Sequence, residues 1–327
     1  MEIKVNRLSL SDMPIFDKYM RSCNYPSNIW TANFPYLWAV SQSSSIKILW
    51  SIVDDLLVIF VESKDKNRYL RCLPFGNANA SKVTAVLIKC FNYCRTWNLQ
   101  QAQRPQRPHV KFINQAQLNF LYSSLLFRKH FRYKLVPGIE FHYSIEKLVT
   151  FAGSDYQYIR RKINKFKRTY PNAFIRSYES EDYEKVMNLN KAWNHTAVRK
   201  YSRIVDTDYF NKIIANHIKL NQITLVCELN DQIIGVTSGG ISLNGESWCS
   251  LRKTISEEYD GLSEYLFLSL AEKIHELHPS VTLLNDGSDL GSSGLHYFKE
   301  KFRPIYKYKR YRLYKKRPAN KSKKLSS

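Results

Sequence analysis

The chain predicts a mixed α/β fold, and three observations carry that expectation. Apolar residues recur at helical spacing in some segments and as short extended runs in others. Asn/Asp/Gly dipeptides punctuate the extended runs as hairpin turns do. The second half runs helices, antiparallel hairpins, helix, strand, helix, strand, and the first half holds a shorter version of that order. With 327 residues, 44% of them apolar and 14% aromatic, the chain has material for one large domain or two ordinary ones.

In the first half, residues 10–21 have helical spacing, with Ser11 and Asp12 as capping candidates. Residues 46–53 and 56–62 read as a hairpin around Asp54-Asp55, and 69–73 as a third strand. Val83, Val86, Leu87, Cys90, Phe91 and Cys94 set a helix over 82–97. A polar, proline-broken loop (100–109) leads to a strand (110–113), a helix (115–126) and an extended segment (132–143). In the second half a helix over 155–170 turns Ile159, Ile163 and Phe166 inward. A strand (173–178) and two helices (181–193, 207–220) follow, then strands at 223–229, 233–243 and 248–254 joined by Asn230-Asp231 and Asn244-Gly245. The rest reads as helix 262–277, strand 281–285, helix 293–302 and strand 307–314.

Charge narrows the function classes. Fifty Lys and Arg against 28 Asp and Glu give a formal charge of +22, which asks for a polyanionic partner: nucleic acid, an anionic membrane surface or an acidic ligand. From Lys299 to Lys324 there are thirteen cations and one acid, Glu300. The helix over 155–170 adds a stripe of Arg160, Arg161, Lys162, Lys165, Lys167 and Arg168, a pattern suited to phosphates along RNA or lipid. Residues 315–327 carry cations without apolar periodicity and are expected to be disordered. The first residues lack an apolar signal core, and the longest strongly apolar run, 56–61, is far short of a membrane span. A cytoplasmic protein, peripheral at a membrane if it meets one, is expected. Six scattered cysteines read as reduced and structural, and no His pair stands near them, so no metal is expected.

The densest signal is residues 285–313. The pattern Asn285-x-x-x-Asp289-Leu290-Gly291-x-x-Gly294-Leu295-x-x-x-Lys299, with Phe302 and Pro304 beyond it, resembles the phosphatidylglycerol lysyltransferase C-terminal domain family. Asn33-x-x-x-Leu37-Trp38 and the helix at 158–166 extend the likeness over most of the chain. The resemblance implies two tandem GNAT-type acyltransferase lobes with mixed sheets, placed here at 1–148 and 149–327. No residue-level repeat links the halves. The sequence departs from the family at Asp286-Gly287-Ser288, where Arg-Glu-Glu is usual, and at His296, where Arg is usual.

In a GNAT-type fold two parallel strands splay and the acyl donor lies between them. Residues 248–254 and 281–285 are the expected pair, with Asp286 and Asp289 where the second strand gives way to its loop. A CoA-dependent enzyme would follow the first strand with a glycine-rich pyrophosphate turn. Here Ser256-Glu257-Glu258-Tyr259-Asp260-Gly261 offers one glycine and three carboxylates, which argues against acetyl-CoA and leaves no cofactor expected. Asp289 is a candidate to orient a donor ammonium or act as general base, and equally an Asx-turn or capping residue. Lys299, beside the apolar face of Leu295, Phe298 and Phe302, is a candidate for oxyanion stabilisation or phosphate binding, and otherwise a solvated helix lysine. Asn285, Gly291, Arg252, Lys301 and Arg303 are the expected substrate contacts. By resemblance the chain transfers an aminoacyl or acyl group from an activated donor, such as aminoacyl-tRNA, to a lipid, amine or hydroxyl acceptor. Its expected partners are tRNA and an anionic phospholipid surface. A non-catalytic basic binding module on the same fold and a CoA-dependent N-acyltransferase are the alternatives.

Overall fold

A computed structural model describes residues 3–25, 28–200, 209–242, 246–254 and 259–317, with side chains described except at 197–200 and 249–254. The first half contains β1 (Asn6–Arg7), α1 (Met13–Arg21), α2 (Phe34–Ser41), β2 (Ile46–Val53), β3 (Leu56–Ser63), β4 (Arg68–Leu70), α3 (Ala80–Gln101), β5 (His109–Asn114), α4 (Gln115–Tyr122), α5 (Leu125–His130) and β6 (Phe131–Ser144). The second contains α6 (Ile145–Thr150), α7 (Gln157–Thr169), β7 (Phe174–Ser177), α8 (Tyr183–Lys200), α9 (Phe210–Ala215), β8 (Ile223–Leu229), β9 (Gln232–Ile241), β10 (Glu246–Thr254), α10 (Leu262–Leu277), β11 (Leu283–Ser288), α11 (Ser293–Glu300) and β12 (Tyr306–Lys315).

These strands make one 12-stranded sheet in the order β1-β2-β3-β4-β5-β12-β6-β11-β10-β9-β8-β7. Its centre is an exchange. β12, from the end of the chain, lies between β5 and β6 of the first half, and β6 lies between β12 and β11 of the second. The β6–β12 ladder is antiparallel from Tyr306 opposite His142 to Lys315 opposite Phe131, with a bulge between Lys309 and Arg310. Each half also has one parallel contact that soon parts. β4 meets β5 only at Leu70 and Val110. β10 meets β11 at Glu246–Leu283, Ser247–Leu284 and Trp248–Asn285.

Local chemistry explains the elements. Asp54 and Asp55 (φ 49° and 63°), and Asn230 and Asp231 (φ 49° and 62°), form left-handed pairs at the β2–β3 and β8–β9 turns, as residues tolerant of positive φ do in two-residue hairpins. β3 is apolar and buried along nearly its whole length because both sheet faces are covered there. Ile159, Ile163 and Phe166 of α7 are buried as expected. Phe141 and Tyr143 of β6 pack with Phe267 and Phe302 into an aromatic cluster, Phe267 and Phe302 being 4.6 Å apart edge to face.

Several expectations are corrected. α2 and α6 did not register as helices. In α2 all eight residues but Tyr36 are buried, so no polar face marks a period; Asn33 caps it by accepting from the Tyr36 amide at 2.9 Å. The helix expected over 115–126 breaks because Ser124 caps a new one. β11 runs on to Ser288, so Asp286 belongs to the strand and not to its loop. The most buried residue of α11 is Lys299, while Leu295 and Phe298 are only half-buried. Lys315 pairs with Phe131, and the Lys316 amide donates to the His130 carbonyl at 2.8 Å, so the folded chain includes the start of the tail. Residues 318–327, the Asn244-Gly245 turn and Ser256-Glu257-Glu258 lie outside the described residues.

Candidate active site

The site forms where β11 leaves β10, just past the Trp248–Asn285 pair. Asn285 is buried and shapes the exit: its Oδ1 accepts from the Gly287 amide at 2.8 Å, and its Nδ2 donates to the Asn28 carbonyl at 3.4 Å. Gly287 has φ 70°, and a Cβ there would lie 3.1 Å from the Trp30 ring, so the strand presses its backbone onto that indole.

Asp289 is 3% exposed. Its Oδ1 accepts from the Gly291 amide at 3.0 Å, an Asx turn, and from the Ile139 amide of β6 at 2.9 Å. Its Oδ2 lies 2.7 Å from Nδ1 of His296, the first-turn residue of α11. Burial pushes this carboxyl up, but the Gly291 amide, His296 and the Ile139 amide together hold it below its ordinary value. The His296 side chain is 41% exposed, and its Nε2 lies 3.5 Å from Glu300. An imidazole held at Nδ1 by a buried carboxylate, with its other nitrogen beside Glu300 on a partly exposed ring, can take part in proton transfer.

Lys299, also 3% exposed, does not stand free. Its ammonium lies 2.6 Å from Asp286 Oδ2 and also donates to the Asp286 carbonyl, which ties α11 to β11. Gly291 (φ 78°) supplies the left-handed turn and the amide that Asp289 binds. Lys301 lies 3.8 Å from Glu264 and over the Tyr297 ring; burial lowers its ammonium pKa, with Glu264 opposing. Arg303 reaches Asp155. Both therefore face acids near α7 and α10. Arg252 lies on β10 opposite Thr237, and its side chain is outside the described residues.

Behind the loop lies a charged cluster that the sequence reading missed. Glu140 and His142 of β6, Glu246 of β10 and Arg310 of β12 are all buried. Glu140 Oε1 accepts from the Trp30 amide at 3.2 Å, while its Oε2 has no partner among the described residues. His142 Nδ1 is 3.1 Å from Glu246 Oε1 but off-axis for a hydrogen bond. Burial raises the Glu140 carboxyl to about 7, with His142, Arg310 and the Trp30 amide restraining the rise. The signal available in sequence was the Glu-x-His alternation at 140 and 142, which puts both side chains on one sheet face. Gly138 (φ 90°) lets the strand close in: a Cβ there would lie 2.9 Å from Arg310 Nη2 and 3.0 Å from Asp289 Oδ1.

In the α7 stripe, Arg160 binds the carbonyls of Phe151 and Gly153, Lys162 pairs with Asp260 at 2.6 Å, and Lys167 sits over the Tyr265 ring. Three of the six cations are thus engaged within the chain, and only Lys162 among these three meets an acid, which comes from outside the helix.

Residues 43–314 match the family described as phosphatidylglycerol lysyltransferase, C-terminal. The chain belongs to that family. Its fold is also that of solved relatives. A conserved protein of unknown function from Bacteroides thetaiotaomicron is 17% identical, with TM-score 0.81 over 96% of this chain and 100% of that one. L-PGS from Bacillus licheniformis is 16% identical, with TM-score 0.62 over 90% and 89%. A tandem GNAT protein from the clavulanic acid biosynthesis pathway is 8% identical, with TM-score 0.51 over 98% and 100%. The expected mixed α/β, tandem GNAT-type architecture is therefore the observed one. No curated protein matches the chain. Among the described residues of this phosphatidylglycerol lysyltransferase family member, no helix is long and apolar enough to cross a membrane, and no group of three or more His, Cys, Asp or Glu is placed to hold a metal.

Proposed function

We propose that this protein moves an aminoacyl or acyl group from an ester-activated donor, with aminoacyl-tRNA as donor class and a lipid hydroxyl as acceptor. Family membership supports acyl transfer in general; the contact between Asp289 and His296 carries the mechanism. The acceptor hydroxyl attacks the ester carbonyl while His296 Nε2 takes its proton. Asp289 at one end and Glu300 at the other stabilise the imidazolium that results. The tetrahedral intermediate then collapses, and the departing ribose hydroxyl takes the proton back. Asp289 acts in this scheme as a positioning residue, and Lys299 anchors the strand to the helix through Asp286. The start of α10 speaks against CoA as donor: Asp260 is bound to Lys162, and a Cβ on Gly261 would sit 2.6 Å from the Lys162 carbonyl, where a pyrophosphate would need room.

The test is transfer of labelled amino acid from a panel of charged tRNAs to phosphatidylglycerol vesicles. His296→Ala is expected to lower the rate about 10²- to 10⁴-fold, the usual share of a general base. Undiminished transfer by that variant removes His296 from the mechanism. A non-catalytic binding module is the second reading, favoured by the internal partners that already occupy Asp289 and Lys299. Absence of transfer by the parent protein across the panel would establish it.

A further inference from the structure

The first half has its own parting of parallel strands, and a cluster of cations stands there. β4 and β5 touch only at Leu70 and Val110, and Arg71 is the next residue of the chain. The β5–β12 ladder skips from the Tyr311–Ile113 pair to the Leu313–Val110 pair, so Lys111 and Phe112 both stand opposite Arg312. Leu70, Val110 and Leu313 point to the buried side, which leaves Arg71 and Arg312 on the other face by alternation. Arg312 shares that face with Tyr308, the partner of Glu140. β4, β5 and β12 are consecutive in the sheet, so at roughly 4.8 Å per strand the cations lie across about 10 Å.

Rings, and not carboxylates, position these cations. Arg71 is 3% exposed. Its Cζ lies 5.1 Å from the Tyr36 centroid and 6.0 Å from that of Phe112, and its Nε donates to the Thr31 carbonyl at 3.1 Å. Its Nη atoms have no hydrogen-bond partner among the described residues. Lys111 Nζ lies 5.8 Å from the same Phe112 ring and 5.6 Å from Tyr69. Arg312 has no ion-pair partner among the described residues, and its Nε is buried without a hydrogen bond. Burial raises the Tyr69 phenol pKa while Arg71 and Arg312 oppose the rise, so both guanidinium groups lie near that hydroxyl. A buried guanidinium held by rings keeps its charge and its fork of donors, and burdens the fold until an anion meets it.

We infer that Arg71, Lys111 and Arg312 bind one phosphate group, with the Tyr69 hydroxyl as a neutral donor. Two guanidinium forks and an ammonium offer more donors and more charge than a single carboxylate accepts, whereas a phosphate takes hydrogen bonds from several sides. The compactness of the cluster fits one phosphate, carried by a small ester or by a lipid headgroup; the backbone of a polynucleotide needs a longer track of cations. The site stands whether or not the chain transfers an acyl group, because its binding needs no donor ester.

The experiment is isothermal titration calorimetry in chloride buffer with glycerol 3-phosphate, beside flotation with phosphatidylglycerol vesicles. The variants are Arg71→Gln with Arg312→Gln, and a charge-matched control pair of exposed residues, Arg95→Gln with Arg104→Gln, with melting curves to show that each is folded. Arg312 is only half-buried, so Arg312→Gln alone carries the test if the site pair does not fold. The parent and the control should bind glycerol 3-phosphate at one site, and the site pair at least about tenfold more weakly, as loss of a charge-assisted hydrogen bond predicts. Vesicle binding that falls in the site pair, and that glycerol 3-phosphate competes away in the parent, assigns the phosphate to a lipid headgroup. Vesicle binding that the site pair retains assigns it to a soluble ester. Equal loss in the site and control pairs would overturn the inference, as would binding of neither glycerol 3-phosphate nor vesicles through Arg71 and Arg312. So would a site pair that loses affinity for tRNA alone.

Discussion

Replacing Glu140 with glutamine isolates the most perturbed group of the buried cluster. The carboxyl is fully buried on β6, faces His142 on its own strand, Arg310 on β12 and Glu246 on β10, and titrates at about 7 against an ordinary 4.5. An unfolded chain surrenders this proton near pH 4.5, whereas the folded protein keeps it to about pH 7. Between those values the folded state binds more protons, so stability falls as pH rises. At about 1.4 kcal/mol for each pH unit, the wild type forfeits roughly 3 kcal/mol once pH exceeds 7. Glutamine keeps an oxygen for the Trp30 amide and does not titrate. The stability of Glu140→Gln relative to wild type should therefore be roughly 2 to 3 kcal/mol more favourable at pH 8 than at pH 5. Urea unfolding at the two pH values measures this, followed by tryptophan fluorescence with Trp30 and Trp248 as reporters at the site; their rings lie 5.5 Å apart. A variant whose relative stability is the same at both pH values would show that Glu140 titrates normally and that the cluster is wetter than its burial implies.

Other outcomes follow from the same geometry. Lys299→Ala breaks the buried ion pair with Asp286 and should cost about 3 to 5 kcal/mol in urea unfolding, while adding Asp286→Leu should recover part of the loss. Failure of the second substitution to recover any stability would mean that the lysine stem, and not the charge pair, was responsible. Gly138→Ala drives a methyl into Ser288 Oγ at φ 90° and should destabilise by about 1 to 3 kcal/mol or more, with unfolding midpoints as the readout. Asp289→Asn keeps an oxygen for the Gly291 and Ile139 amides but weakens the hold on His296, so stability should change little while transfer falls; steady-state rates alongside melting curves separate the two.

Much of the second half was legible because its elements alternate cleanly in sequence. The 223–229 strand and the 262–277 helix lie where their periodicity places them, and the β8–β9 turn advertised itself as Asn230-Asp231. α2 was hidden because a helix buried all round has no period to read. At the site, the turn around Asp289 was visible as a pattern of glycines and acids. The partnerships were not: Asp289 with Ile139 spans 150 residues, and Asn285 with Asn28 spans 257. His296 stood in plain view as a departure from the family pattern. Only the distance to Asp289 turned it from a substitution into a candidate proton acceptor.

The exchanged centre of the sheet has a consequence for how the chain is made. As the first half leaves the ribosome, β5 and the fourteen-residue β6 have no neighbour on the edges that face β12, because that strand is more than three hundred residues into the sequence. Long unpaired edges of this kind are templates for pairing with other chains. The nascent first half must therefore wait, open at its middle, until residues 306–315 arrive and thread between two strands made long before. Severing the chain between the halves would give two fragments that each lack a central strand, and only their reassociation could restore the sheet.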